Sequence, residues 1–268
     1  MGGGEKPVGA STNPWGIFST VMAWLILLFL MLPSFIVVPM SFGGKFEMMF
    51  PPTTFDTILY ERFFSTGNWI ATTITSFKVA IGATVLALLL GVPASYGIVR
   101  GTYPGKKIVT LFLLSPILVP VIVLALGMYL YLAAFKATGT DLGLIIAHGV
   151  LTTPFVIVTC MAGLRHIDPN LETAATIMGA STMQSFFKVT LPLLKSAMFA
   201  GGLFAFLMSF DEVVVAFFIT EASTMTLPVK MYSSIKWEIS PILAAISSLL
   251  TLLSLVICLV GAAAQKKT

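Results

Sequence analysis

Charge is what this sequence has least of. Asp, Glu, Lys and Arg make up 10% of its 268 residues against 57% hydrophobic ones, and the mean hydropathy is +0.99. A soluble domain carries roughly 25% charged residues, so a water-solvated globule is excluded and an integral membrane protein remains. Cysteine is almost missing: Cys160 and Cys258 lie in apolar runs without disulfide or metal-ligand spacing, and both read as small buried hydrophobes. His148 and His166 are the only two histidines and cannot build a metal site by themselves. No GxSxG, HExxH, Walker or dinucleotide pattern occurs, so no catalytic residue and no metal ligand is assigned. The net charge of +4 is spread along the chain and asks for no nucleic acid.

What is present in abundance is apolar run length. Crossings of ~20 residues are needed to span a bilayer, and six such segments are expected: 17–42, 72–99, 108–135, 142–164, 193–220 and 241–263. They form one transmembrane domain, 17–264, between a polar tail over 1–16 and a short one over 265–268. The first run is too long for a signal-peptide core and lacks a small-residue cleavage site, so it reads as an uncleaved span. Pro33 and Pro39 predict a bent end to it, and Pro116 and Pro120 predict kinks in the third span. Lys78 is expected to snorkel, because a full apolar stretch follows it. His148 is expected to pack or to hydrogen-bond a neighbouring helix. Residues 43–68 and 221–240 are mixed extramembrane segments; in the second, Lys230, Tyr232, Lys236, Trp237 and Glu238 suit either a soluble partner or a membrane interface.

An even number of spans puts both termini on one side, and basic residues decide which. Lys6, Arg100, Lys106, Lys107, Arg165, Lys188, Lys195, Lys266 and Lys267 fall on the terminus side, against Lys45, Arg62, Lys136, Lys230 and Lys236 on the other. The positive-inside rule therefore predicts an N-in/C-in protein. It also places residues 165–192 in the cytoplasm.

That stretch is dense in helix signals. Asp168 is a good N-cap with Pro169 at the first helical position, and Gly179 is placed to stop the helix. Ser181 and Gln184 have capping-box spacing, which predicts a second short helix from about Thr182. Two short helices joined at a glycine make a cytoplasmic knob between the fourth and fifth spans, suited to a protein partner.

Thr173-Ala174-Ala175, then Gly179 after three residues, and Val189-x-Leu191-Pro192 after nine more resemble the EAA loop of importer-type ABC transporter permeases. One departure is plain. The motif's glutamate position holds Thr173, while Glu172 lies one residue earlier, a rotation of about 100° on a helix. The resemblance extends over most of the chain. Ser209-Phe-Asp-Glu212, Thr226-Leu-Pro-Val-Lys230 and Ser240-Pro241 are similar to the second permease of spermidine/putrescine importers. It implies an all-α half-pore that binds no cofactor itself. It further implies a second permease chain, two cytoplasmic ATPase subunits that bind ATP and Mg, and an extracytoplasmic solute-binding protein. Glu172, Thr173, Ala174, Ala175, Gly179, Ala180, Leu191 and Pro192 would then form the ATPase-coupling surface. The bacterial cytoplasmic membrane is the implied location.

Asp211 and Glu212 are adjacent acids within an apolar stretch, and Asp211 lies about 24 Å along an ideal helix from Lys195, in the outer half of the membrane. Charges there are costly, so they should face a watery path, a partner chain or a helix end. A carboxylate in the path would suit a polyamine or related cation. The residues themselves leave open another small solute, such as an amino acid derivative, an opine or an oxyanion. They also leave open a membrane scaffold protein, or a proton-driven transporter using Asp211, Glu212 and His148; the lack of an obvious internal repeat weighs against the last.

Overall fold

The computed structural model describes residues 14–46, 48–65, 68–237 and 240–265, so the tail charges Glu5, Lys6, Lys266 and Lys267, and Glu238 in the 221–240 segment, lie outside the described residues. The Cys258 side chain lies outside them too. Among the described residues all regular structure is helical. It falls into two compact units, Met1–Gly67 with Ser240–Thr268, and Asn68–Ile239.

The first unit contains α1 (Pro14–Met40), α2 (Ile58–Ser65) and α12 (Ile242–Gln265). Most of α1 is exposed along its length, as an apolar helix meant for lipid or a partner helix is. Its last turn is anchored: Ser41 Oγ lies 2.6 Å from Tyr60 Oη, and Tyr60 donates to Ser248 Oγ at 3.3 Å. The short helix α2 lies in the mixed segment 43–68, for which no helix is expected. Its Leu59 and Phe63 are buried, and that burial explains why an eight-residue helix persists.

The second unit is built on three long helices, α3 (Trp69–Arg100), α6 (Asp141–His166) and α9 (Leu191–Phe210). α3 and α6 run parallel. Near their starts Lys78 pairs with Asp141, and at their ends Arg100 Nη2 donates to Ile167 O at 2.8 Å. α9 runs back against them, so that Leu194 packs with Leu164 at one end while Ser209 Oγ meets His148 Nδ1 at 2.9 Å near the other. His148 is thus a buried interhelical contact, as the sequence leads one to expect. Lys78 is not simply snorkelling: it has a carboxylate partner 63 residues away.

Small residues let these helices approach closely, the usual solution where apolar surface alone gives helices no reason to associate in lipid. A Cβ built on Gly91 would lie 2.8 Å from Val156 Cγ1. Gly91→Leu is therefore expected to force α3 off α6, costing roughly 1–3 kcal/mol. A thermal unfolding midpoint equal to wild type in detergent would contradict that packing.

The segment expected as the third span is two helices, α4 (Lys106–Leu118) and α5 (Val121–Ala134), bent by 104°. Val119, at φ −80 and ψ 134, lies directly before Pro120, where a proline disfavours helical backbone. Pro116, by contrast, stays inside α4. The segment expected as the fifth span is likewise interrupted: α9 ends at Phe210 and α10 (Val214–Ile219) follows. α10 packs with α5 in an apolar cluster that includes Ala125, Leu132, Val215, Ala216 and Ile219. α11 (Leu227–Trp237), also unexpected, is pinned to α3 by Leu227 N–H donating to Ser76 Oγ at 2.7 Å. Gly16–Met40, Trp69–Arg100, Asp141–His166 and Thr182–Phe210 are long and apolar enough to cross a membrane; the bent pair makes a fifth if taken as one span, and Ile242–Val256 is a shorter apolar helix.

Candidate functional site

The knob sits where the parallel α3 and α6 end. α7 (Pro169–Ile177) starts at Asp168, whose Oδ1 accepts from Asn170 N–H at 2.9 Å. It stops by a Schellman arrangement: Gly179 N–H donates to Thr176 O and Ala180 N–H to Ala175 O, both at 3.0 Å. Gly179 has φ +91, which only glycine adopts without strain, and a Cβ built there meets nothing within 4 Å. The requirement is thus one of backbone shape, and the space around Gly179 is open.

α8 (Thr182–Ser185) begins with a full capping box: Ser181 N–H donates to Gln184 Oε1 at 2.9 Å and Gln184 N–H to Ser181 Oγ at 3.3 Å. A single π turn, Phe186–Thr190, then carries the chain into α9 without a break. Its cause is Pro192, which has no N–H to offer to the preceding turn and crowds the carbonyl four residues back. Leu191 N–H instead reaches Phe186 O, widening the helix by one residue. Leu191 packs against the core cluster around Leu164 and Leu194, while Pro192 is exposed.

Glu172 decides how the knob is held. Its carboxylate accepts from Tyr96 Oη and from Arg100 Nε, each at 2.9 Å, so α7 is bonded to the last turn of α3. The Arg100 and Glu172 side chains are only 18% and 14% exposed. Tyr96 also packs edge-on against Phe186 with ring centroids 4.8 Å apart, which brings the π turn leading into α9 to the same junction. The displaced glutamate is therefore turned inward. Thr173, on the motif's position, is exposed and its Oγ1 donates only to Pro169 O, at 3.3 Å. Ala174 is exposed and Ala175 buried. Beyond them the tip is apolar and bare: Ile177 and Met178 are each 83% exposed.

Asp211 and Glu212 lie at the opposite end, and their environments differ. Glu212 Oε1 accepts from Val215 N–H at 2.7 Å and so occupies a helix start. Asp211 closes α9, its N–H donating to Leu207 O at 3.1 Å, and its side chain is exposed. A carboxylate at a helix C-terminus faces the negative end of the dipole, a placement that favours a nearby cation. Phe210, Phe206 and Phe77 cluster beside it, with Phe210 centred 5.0 Å from Phe77 and 5.8 Å from Phe206. The 221–240 segment offers less free charge than its sequence suggests. Lys230 Nζ lies 4.3 Å from the Trp69 ring centroid, and burial holds its ammonium below the ordinary lysine range.

Three comparisons bear on this arrangement. Residues 87–268 match the family described as binding-protein-dependent transport system inner membrane component. The spermidine/putrescine transport system permease protein PotC of Haemophilus influenzae is 31% identical over 211 residues, 78% of this chain and 81% of that protein. The putrescine transport system permease protein PotI of Escherichia coli is 29% identical over 245 residues, 89% of this chain and 86% of that one. In fold, the chain is similar to a crystal structure of a bacterial ABC transporter involved in the import of the acidic polysaccharide alginate, with a TM-score of 0.75 at 16% identity, covering 98% of this chain and 99% of that one.

Proposed function

The chain belongs to the binding-protein-dependent transport system inner membrane components, and from that premise we propose that it lines half of a solute pathway whose power stroke comes from a separate ATPase. It is a permease of an ABC importer. Two ATPase subunits carrying ATP and Mg, a second and different permease chain, and an extracytoplasmic solute-binding protein complete the assembly. In this reading six crossings, with α4–α5 as one and α12 as the last, leave both termini and the knob in the cytoplasm.

The observation that carries the reading is the knob itself, an apolar tip at Ile177 and Met178 on a helix fixed to α3 through Glu172. A surface groove on the ATPase takes the tip. Movement of that groove displaces α7, and the Glu172–Arg100–Tyr96 junction passes the displacement to α3 and α9 together. Glu172, Leu191 and Pro192 act as positioning residues in this scheme. Thr173, Ala174, Gly179 and Ala180 lie on the surface that the ATPase approaches. The test is co-purification: the wild-type chain retains its ATPase through size exclusion, and Ile177→Asp with Met178→Asp releases it. Retention by the double variant would overturn the docking surface.

The solute we favour is a polyamine or a related small cation. Similarity to PotC and PotI supports it, as does the exposed Asp211 beside three phenylalanines at a helix C-terminus. Asp211→Asn is expected to slow uptake of spermidine or putrescine several-fold, with ATPase docking unchanged. Glu212→Gln, at a cap, is expected to cost about 1 kcal/mol of stability or less and to leave the transport rate nearly intact. Radiolabelled uptake by both variants separates the two roles: unchanged uptake by Asp211→Asn would show that Asp211 does not attract the solute, and an equal defect in Glu212→Gln would show that Glu212 is more than a cap.

A further inference from the structure

At the end of the bundle that carries the knob, α4 leaves a groove of about 950 Å³ against α3 and α6. α4 touches α6, but none of its residues is fully buried, and Leu113 to Pro116 are half-buried. The groove has a polar mouth and an apolar depth. Lys106, Lys107 and Arg165 stand at the mouth, and among the described residues no acidic side chain lines it. Inward from them, Leu111, Leu114, Ile117 and Leu118 follow at helical spacing along α4, facing Val99 and Met161 of the other two helices.

The two ion pairs among the described residues, Lys78–Asp141 and Arg100–Glu172, use none of these three cations. Lys106 Nζ donates to Gly101 O at 2.9 Å, a neutral partner. The first turn of α4 adds to the positive field. Gly105 at the N-cap has no side chain to accept from its N–H groups, so the positive end of the helix dipole lies open at the mouth. From Lys107 to Leu118 the stripe runs about 16 Å along the helix. Half the hydrocarbon thickness of a bilayer is about 15 Å. The α4 side of the groove is thus about one leaflet long, and the chain bends by 104° after it.

We infer that this groove is a binding site for an anionic phospholipid of the cytoplasmic leaflet, with its phosphate held by Lys106, Lys107 and Arg165 and an acyl chain lying along the apolar face of α4. Charge complementarity selects the headgroup, as basic pockets between transmembrane helices do. A protein helix laid in the groove would leave three cations without a counter-charge at its mouth. The lipid would brace α4 against the end of α6, directly before the knob.

The test uses Leu114→Trp in the assembled transporter, reconstituted in nanodiscs with brominated phosphatidylglycerol or brominated phosphatidylcholine. Fluorescence quenching is read as the difference from the protein with Leu114, which subtracts the native tryptophans. The expected result is a preference for phosphatidylglycerol of about tenfold or more, abolished when Lys106→Gln, Lys107→Gln and Arg165→Gln are added. Equal quenching by both lipids would mean ordinary boundary lipid and would overturn the site. Absence of quenching in a complex that still hydrolyses ATP would mean that a protein segment fills the groove, and would overturn it as well. Should Leu114→Trp not assemble, native mass spectrometry of the complex with Leu114 in place decides. Retained phosphatidylglycerol that the triple glutamine variant loses supports the site, and any other pattern overturns it.

Discussion

Replacing Gly179 with tryptophan is expected to cut ATP-driven uptake sharply while leaving the membrane core folded. Gly179 has φ +91, and a side chain there costs on the order of 1–2 kcal/mol in backbone strain. That strain is confined to the link between α7 and α8, because a Cβ at the position meets nothing within 4 Å among the described residues. The larger consequence lies outside the chain. The tryptophan ring would stand beside the exposed Ile177 and Met178, the tip on which we propose the ATPase closes. Solute-stimulated ATP hydrolysis and uptake are expected to part company, with uptake reduced by roughly tenfold or more, in the usual range of coupling energies. Gly179→Asn separates the two causes, since asparagine tolerates positive φ better than other side chains. It should recover backbone shape and a substantial share of uptake. Normal transport by the tryptophan variant would show that this surface is not the coupling contact.

Breaking the Glu172–Arg100 pair is the second large effect. Each group is mostly withdrawn from solvent, and Arg100 also holds Ile167 O at the end of α6. Glu172→Ala leaves a partly buried guanidinium without its carboxylate and a Tyr96 hydroxyl without its acceptor. A fully buried pair broken in this way costs ~3–5 kcal/mol; with some solvent access the expected loss is about 1–3 kcal/mol. Uptake should fall more than stability does, because α7 would still meet the ATPase but would no longer pull on α3. Arg100→Ala and the double variant complete a cycle in which the two losses are far from additive. Additive losses would mean that the pair does not transmit motion. Asp at position 172 is too short to reach both partners and should rescue poorly, whereas Glu172→Gln should keep the Tyr96 bond and part of the function.

The sequence reveals local chemistry well and distant pairing poorly. Asp168, Gly179, Ser181 and Gln184 could be read as helix starts and stops because each acts on backbone groups within a few residues of itself. The apolar runs along α3, α6 and α9 were legible for a similar reason, since crossing a bilayer demands continuous hydrophobicity. Glu172 shows the limit. Its displacement from the motif position was visible, but its partners lie 72 and 76 residues away, and only the parallel packing of α3 and α6 brings them together. Lys78 and Asp141 illustrate the same point. Proline gave a partial signal: Val119 before Pro120 marks the break, yet Ser115 before Pro116 remains helical, so the local rule does not decide which proline breaks the span. The helices α2 and α11 were missed because burial of a few side chains, not composition, sustains them.

The separate fates of Asp211 and Glu212 were also beyond sequence. Adjacent acids differ by about 100° on a helix, which allows one to face a path but does not say which. The end of α9 at Phe210 resolves their geometry, giving Glu212 a backbone partner and leaving Asp211 exposed.

The central claim is that this chain moves its solute only when a separate ATPase drives it. Proteoliposomes containing the chain, its partner permease and the two ATPase subunits, supplied with binding protein and labelled spermidine, measure it directly. Uptake should require ATP and cease when the ATPase is omitted, and the chain alone should neither transport nor hydrolyse ATP. Uptake by the chain alone, driven by a proton gradient, would contradict the account.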